Sequence, residues 1–222
     1  MRFSLARVAL GLLATISIAS SKPQLPAGYT PLPGDIVFQS FPPNPLTLAI
    51  EGSTSSPLSH CGIVATRTDR KAKGVEWVVI EAVGPVKETP LAEWIQRGRD
   101  HHLAVFRLQD DLTGQIPRIL AAARRYTGRP YDSRFRWDDQ AIYCSELVHK
   151  AVRDATGTQL GKMEKLGSLN WKPHEATIRA LEGGDPPLTR EMVTPVSITR
   201  DPKLKRAFVT GYKLDGDNIG DP

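Results

Sequence analysis

Cysteine is scarce: Cys61 and Cys144 are the only two among 222 residues. Two thiols make no disulfide framework, so the fold must rest on an apolar core, and a chain of this length can build one. There is no Cys-x-x-Cys pair, no His-Glu-x-x-His run and no clustered aspartate loop. Those absences remove the common signatures of zinc and calcium sites, and no metal or cofactor is expected. A Gly-rich phosphate loop and a Gly-x-Ser-x-Gly elbow are also missing, which argues against nucleotide chemistry and against a serine hydrolase. No internal repeat or low-complexity tract interrupts the chain. The formal net charge of +5 is spread evenly, without an arginine-rich stripe and interleaved aromatics, so nucleic acid is not an expected partner. The excess of positive charge suits anionic surroundings such as lipid headgroups or cell-wall polymers. Beyond Ile18 no apolar run is long enough for a membrane span. Nothing in the pattern sets an oligomeric state.

The beginning of the chain carries an address. Two arginines precede a short apolar run from Val8 to Ile18, and Ser17-Ile18-Ala19 has the small residues of a cleavage site. Residues 1–19 are therefore expected to be a secretory signal peptide, and the protein to be exported to a periplasmic or extracellular space. Residues 20–33 are proline-rich and expected as a linker. A single domain is expected over 34–212, with an extension from about 157 and a flexible tail over 213–222.

Element signals follow in order. Ile36–Gln39, Ser59–Ala65, Trp77–Val83, Val86–Glu88 and His102–Leu108 have strand composition. Asn44-Pro45 opens a short helix to about Glu51, and Gly52 to Pro57 is expected as a loop. Thr66 to Gly74 is expected as a charged hairpin loop. Thr89-Pro90 is expected to cap a helix ending near Gly98, and Asp110 or Asp111 to cap one long helix from Leu112 to Tyr126. Beyond Gly157 the pattern weakens to a helix over Pro173–Leu181 and strands at Met192–Val196 and Phe208–Tyr212.

The most telling stretch is Tyr143-Cys144-Ser145-Glu146-Leu147-Val148. Leu147, Val148, Ala151, Val152 and Ala155 fall on one helical face, and Gly157 is a stop signal. A thiol in the first turn of a helix has its thiolate favoured, and the thiolate is the nucleophile. The plainer reading is a small buried apolar residue. A cysteine hydrolase also needs a base beside the thiol and a group to orient that base. His149 lies about 500° around the helix from Cys144 and is expected to face solvent; His101, His102 and His174 are expected at the surface. His60 differs, because it sits in an apolar strand. Alternation puts His60, Gly62 and Val64 on one face and Cys61 on the other, so Cys61 is expected to be a free thiol pointing away from the site. Gly62 leaves space that a helix start can fill. Glu81 interrupts an apolar strand and is costly to bury unless paired, so it is the candidate to orient His60. Tyr143, Tyr131 and Ser59 are candidate substrate-binding hydroxyls, with core packing the plain alternative for the two tyrosines.

The order Gly34-Asp35-Ile36-Val37-Phe38, Ser59-His60-Cys61-Gly62, Val79-Ile80-Glu81-Ala82, Thr89-Pro90-Leu91-x-x-Trp94, Gly128-x-Pro130-Tyr131-Asp132 and Tyr143-Cys144-Ser145-Glu146 resembles the YiiX-type permuted papain-like enzymes of the NlpC-type superfamily. The resemblance runs from about Pro33 to Thr156. It implies an α+β fold, with an antiparallel sheet or small barrel of about five or six strands packed against the cysteine helix. It implies Cys144 as nucleophile, His60 as base and Glu81 as orienting group. The activity so implied is hydrolysis of an amide through a thioester, and export points to a cell-envelope peptide or related amide. Two other readings stand beside it. One is lipid acyl transfer or ester hydrolysis, with Phe41, Leu46, Leu48 and Ile50 lining an apolar groove. The other is non-catalytic binding of an envelope polymer or lipid. Expected partners are accordingly a small-molecule, peptide or lipid substrate and a peripheral contact with membrane or cell wall.

Overall fold

A computed structural model describes residues 24–69, 74–216 and 218–221. The signal-like residues 1–19 and the start of the linker lie outside them. A six-stranded antiparallel sheet forms the centre, in the order β4-β3-β2-β1-β5-β8. Its strands are β1 (Ile36–Gln39), β2 (His60–Asp69), β3 (Gly74–Ala82), β4 (Val86–Pro90), β5 (Leu103–Leu108) and β8 (Leu204–Thr210). Runs such as Ile-Val-Phe and Val-Val-Ile are apolar at every position because the sheet is buried on both faces. Ile36, Phe38, Cys61, Ile63 and Ile80 face α4 (Ile116–Arg124) and α5 (Cys144–Thr156), whereas Val37, Val64, Val79 and Val105 face α2 (Leu91–Arg97) with its Trp94. The expected fold class is the observed one.

Several boundaries moved for physical reasons. The hairpin expected over 66–74 is partly strand: β2 continues to Asp69 and β3 starts at Gly74, and the cross-strand pair Arg67–Glu76 closes at 2.8 Å. The first helix, α1 (Pro45–Thr54), continues into the expected loop until Ser55, which adopts the left-handed conformation at its C-cap. The helix expected from Leu112 to Tyr126 is broken into α3 (Asp110–Thr113) and α4 around Gly114-Gln115, just before Pro117. Thr89 does not cap α2; its hydroxyl goes to Glu81.

The C-terminal third wraps the helical side of the sheet. It comprises β6 (Met163–Lys165), α6 (Glu175–Glu182), β7 (Glu191–Val193), α7 (Pro195–Thr199), and β9 (Lys213–Asp215) paired with β10 (Asn218–Gly220). The strand expected over Met192–Val196 stops at Val193, because Thr194 caps α7 and Pro195 opens it. The expected tail closes as the β9–β10 hairpin and buries Ile219. The end of the expected linker is packed too, with Tyr29 stacked on Phe208. Among the described residues no helix is long and apolar enough to cross a membrane.

Candidate active site

The site forms where the first turn of α5 meets the ends of β2 and β3. Cys144 occupies the first helical position, and the helix stops at Gly157 with φ 75°, a left-handed value glycine tolerates. Leu147, Val148, Ala151 and Val152 are all buried against the sheet, which fixes the helix start over β2. The Cys144 N–H, like every N–H in a first turn, has no intrahelical acceptor and points at the space before the helix.

His60 and Glu81 lie on the opposite sheet face, and both are buried. His60 Nε2 is 2.6 Å from Glu81 Oε2. The other Glu81 oxygen accepts from the Thr89 hydroxyl at 2.5 Å, and Arg97 Nη2 adds a contact of 2.5 Å to Oε2. With Nε2 committed to the carboxylate, Nδ1 is the ring nitrogen left for the sulfur. Phe41 stacks on the imidazole at 4.3 Å between ring centroids, and the Arg97 guanidinium lies over Phe41 at 5.2 Å. A side chain tied at one nitrogen and stacked on one face has little freedom to turn.

The charges agree with this geometry. Burial raises the Glu81 pKa, but the hydrogen bond and charge of His60, with those of Arg97, outweigh it and hold the carboxyl down at about 2. Burial pulls His60 down, yet hydrogen bonds with Cys144 and Glu81 push it up to about 9. Cys144 is held well below an ordinary thiol, first by a hydrogen bond from the Cys61 side chain and then, against burial, by the hydrogen bond and charge of His60. The favoured state is a thiolate beside an imidazolium.

Two of the candidate hydroxyls stand near this pair. Tyr131, half-buried in the loop before α5, is close enough for the Cys144 charge to act on it, although burial is the larger cause of its raised pKa. Ser59 lines the groove; its Oγ accepts from the Phe41 N–H and donates to Glu51 at 2.9 Å. Tyr143 is fully buried, with its hydroxyl taking the Val193 N–H at 3.2 Å and its ring edge-on to Phe135.

Four expectations are corrected. Cys61 is a free thiol, but it does not point away from the site. Its strand face is the one α5 covers, so facing away from His60 means facing Cys144. Gly62 does not make room for the helix start, because a Cβ there would meet Val79 Cγ1 at 2.4 Å on the neighbouring strand. His149 is buried rather than solvated, with Nδ1 2.7 Å from the Leu160 carbonyl. His174 and His102 are only partly exposed; the first packs against Gly52 and the second against Gly211. Arg97 and Thr89, which hold Glu81, and Trp94, whose ring lies 5.8 Å from that of His60, were not legible as site residues. An arginine three positions after a tryptophan in a short helix carries no distinguishing signal until that helix is laid across the sheet.

From Cys144 a groove runs between α1, α6 and β7. Leu46, Ile50, Leu166, Ile178, Met192 and Val193 line it, and it presents almost only carbon. Leu46 and Ile50 are where the groove reading put them. Leu48 is instead about half exposed, and Phe41 belongs to the imidazole. No group of three or more His, Cys, Asp or Glu among the described residues is placed to hold a metal ion.

The model of the permuted papain-like amidase family, YaeF/YiiX type, C92, matches residues 30–208. The chain belongs to this family. The uncharacterized protein YiiX of Escherichia coli K12 is 34% identical over 195 residues, covering 86% of this chain and 92% of that protein. The crystal structure of the metalloprotein YiiX from Escherichia coli O157:H7 superposes with a TM-score of 0.75 at 34% identity, over 82% of this chain and 99% of that one. Membership makes this chain a cysteine hydrolase of the permuted papain-like class. The NlpC-type label names a different family and is replaced by C92.

Proposed function

We propose that the chain cleaves an amide through a thioester on Cys144, with His60 as proton carrier, Glu81 as its orienting group, and an apolar acyl group seated in the groove. The observation that carries the reading is the junction of a thiolate–imidazolium pair with the end of a carbon-lined groove. The thiolate attacks the carbonyl, and the oxyanion is stabilised by the Cys144 N–H at the α5 start. His60 gives its proton to the leaving amine, and the C–N bond breaks. Water then enters, His60 takes a proton from it, and the hydroxide attacks the thioester to release the acid and restore the thiolate. Tyr131 and Ser59 bound the substrate near the sulfur.

The signal-like start and the positive charge favour a cell-envelope amide as substrate. A groove of aliphatic side chains favours an acyl chain over a polar peptide on the carbonyl side. The same groove favours a second reading, in which the acyl group passes to an alcohol or comes from an ester. The experiment is mass analysis after incubation with long-chain acyl amides and esters, wild type against Cys144→Ala. The expected result is an acylated Cys144 and free fatty acid from the amide. An ester-only product selects the second reading. Binding without acylation, or hydrolysis by Cys144→Ala, overturns the thioester mechanism.

A further inference from the structure

The mechanism leaves one thiol at the site unused. Cys61 is fully buried and free, and it belongs to the same apolar cluster as Ile142, Tyr143 and Cys144. Two features of β2 aim it at the nucleophile. Side chains alternate along a strand, so with His60 on the α2 face, Cys61 lies on the α5 face. Backbone amides alternate as well, in the plane of the sheet. The Val64 N–H donates to the Asp35 carbonyl at 2.8 Å, on the β1 side. Three residues earlier, the Cys61 N–H must point the other way, toward β3. Pairing with β3 begins only at Ile63↔Ile80, so this N–H lies ahead of that ladder and has no strand partner there. Both Cys61 groups are turned toward the first turn of α5, and both favour the charged form of the Cys144 sulfur.

We propose that Cys61 is a positioning residue for the nucleophile: its S–H and N–H form a two-point cradle that keeps the Cys144 sulfur charged and aimed along the groove. The inference rests on the reading of Cys144 as the nucleophile. A thiol is a weak donor, but in a dry site a donor to a charged sulfur has no competing water. Cys61 itself stays protonated, since burial pushes its pKa up and the neighbouring Cys144 and Glu81 charges add to that. The other titratable groups near Cys144 are His60 on β2, with Glu81 on β3 behind it, Tyr131 in the loop before α5, and Tyr143 at the helix cap, while Arg134 and the paired Glu182 and Arg190 line the same groove. Beside it, β7 and the start of α7 present Val193, Thr194 and Pro195, none of which titrates. The α4 side is apolar, through Ile119, Ala122 and Ala123.

The test follows the rate of Cys144 alkylation by iodoacetamide against pH, with the modified peptide identified by mass spectrometry. Cys61→Ala is expected to move the Cys144 midpoint upward by about one pH unit, a loss of about tenfold in rate at pH values below both midpoints. Cys61→Ser, which keeps a donor, is expected to restore most of the shift. A Cys61→Ala profile superimposed on wild type overturns the proposal, as does a Cys61→Ser profile shifted as far as Cys61→Ala. Should Cys61→Ala not fold, the near-isosteric pair Cys61→Thr and Cys61→Val carries the comparison, and equal midpoints for the two overturn it. Alkylation needs no substrate, so the two readings fail separately. A wild-type Cys144 that titrates as an ordinary thiol removes the nucleophile reading. A low midpoint indifferent to Cys61 removes only the cradle.

Discussion

The two walls of the site are built on opposite principles. On the α2 side, His60, Glu81, Thr89 and Arg97 form a polar network centred on Glu81, with contacts of 2.5 to 2.6 Å that fix its three buried members, His60, Glu81 and Thr89. On the α6 and β7 side, the groove is mostly aliphatic, with the paired Glu182 and Arg190 among its lining. Under the proposed mechanism, charge sits on the atoms that react, and selection among substrates falls to apolar area. Polar contacts act steeply over tenths of an ångström, whereas apolar contacts add up roughly in proportion to area. Damage to the first wall should therefore appear in kcat, and damage to the second in the dependence on acyl length.

The largest effect should come from His60→Ala. Loss of the proton carrier is expected to lower kcat by about 10²- to 10⁴-fold, the usual worth of a positioned general base. Steady-state hydrolysis of one acyl amide checks this, and a loss below tenfold would make the polar wall a packing feature.

Glu81→Gln is expected to cost less, about 100-fold in kcat, because the imidazole stays in place but loses the charge that orients it. The same variant reads the pH dependence. His60 is raised to about 9, so the imidazolium persists up to that pH and activity should fall as pH rises through it. The acid limb should lie well below an ordinary thiol, where Cys144 takes up a proton. Removing the Glu81 charge should move the alkaline limb downward, and an unmoved limb would break the link between Glu81 and His60. For stability the sign reverses. Glu81 is depressed to about 2 from an ordinary 4.5, so its contribution is present above 4.5 and lost as pH falls toward 2.

The smallest step belongs to the groove. Each buried methylene is worth about 0.8 kcal/mol, about fourfold in kcat/KM, until the groove is full. Met192→Glu should flatten that series while leaving the shortest acyl amide unchanged. A rate independent of chain length would show that the second wall does not hold the acyl group.

Legibility differed between these walls. Cys144, His60 and Glu81 stood out because each is a polar or reactive residue inside an apolar pattern. Three of the six strands of the central sheet, β1, β2 and β3, were marked by β-branched runs, β5 by alternation, β4 only as a short extended piece, and β8 by its last residues. The groove was half legible: Leu46 and Ile50 sit in a capped helix, but Leu166, Ile178 and Met192 come from the weakly patterned C-terminal third. Short elements there, such as β6, β7 and α7, form because they pack on α5 and the sheet, and their own propensities announce little.

By itself the sequence determined most strands of the sheet, the helix that begins at Cys144, and the identity of a thiol, an imidazole and a carboxylate as the odd residues of their segments. These follow from local patterns of period 2 and 3.6, which are written in neighbouring residues. Only the tertiary structure decided that Cys61 turns toward the sulfur, that Arg97 and Thr89 hold Glu81, and that the last third of the chain supplies the groove. Those facts depend on which strand end lies beneath which helix start, and such contacts between distant residues leave no periodic trace in the chain.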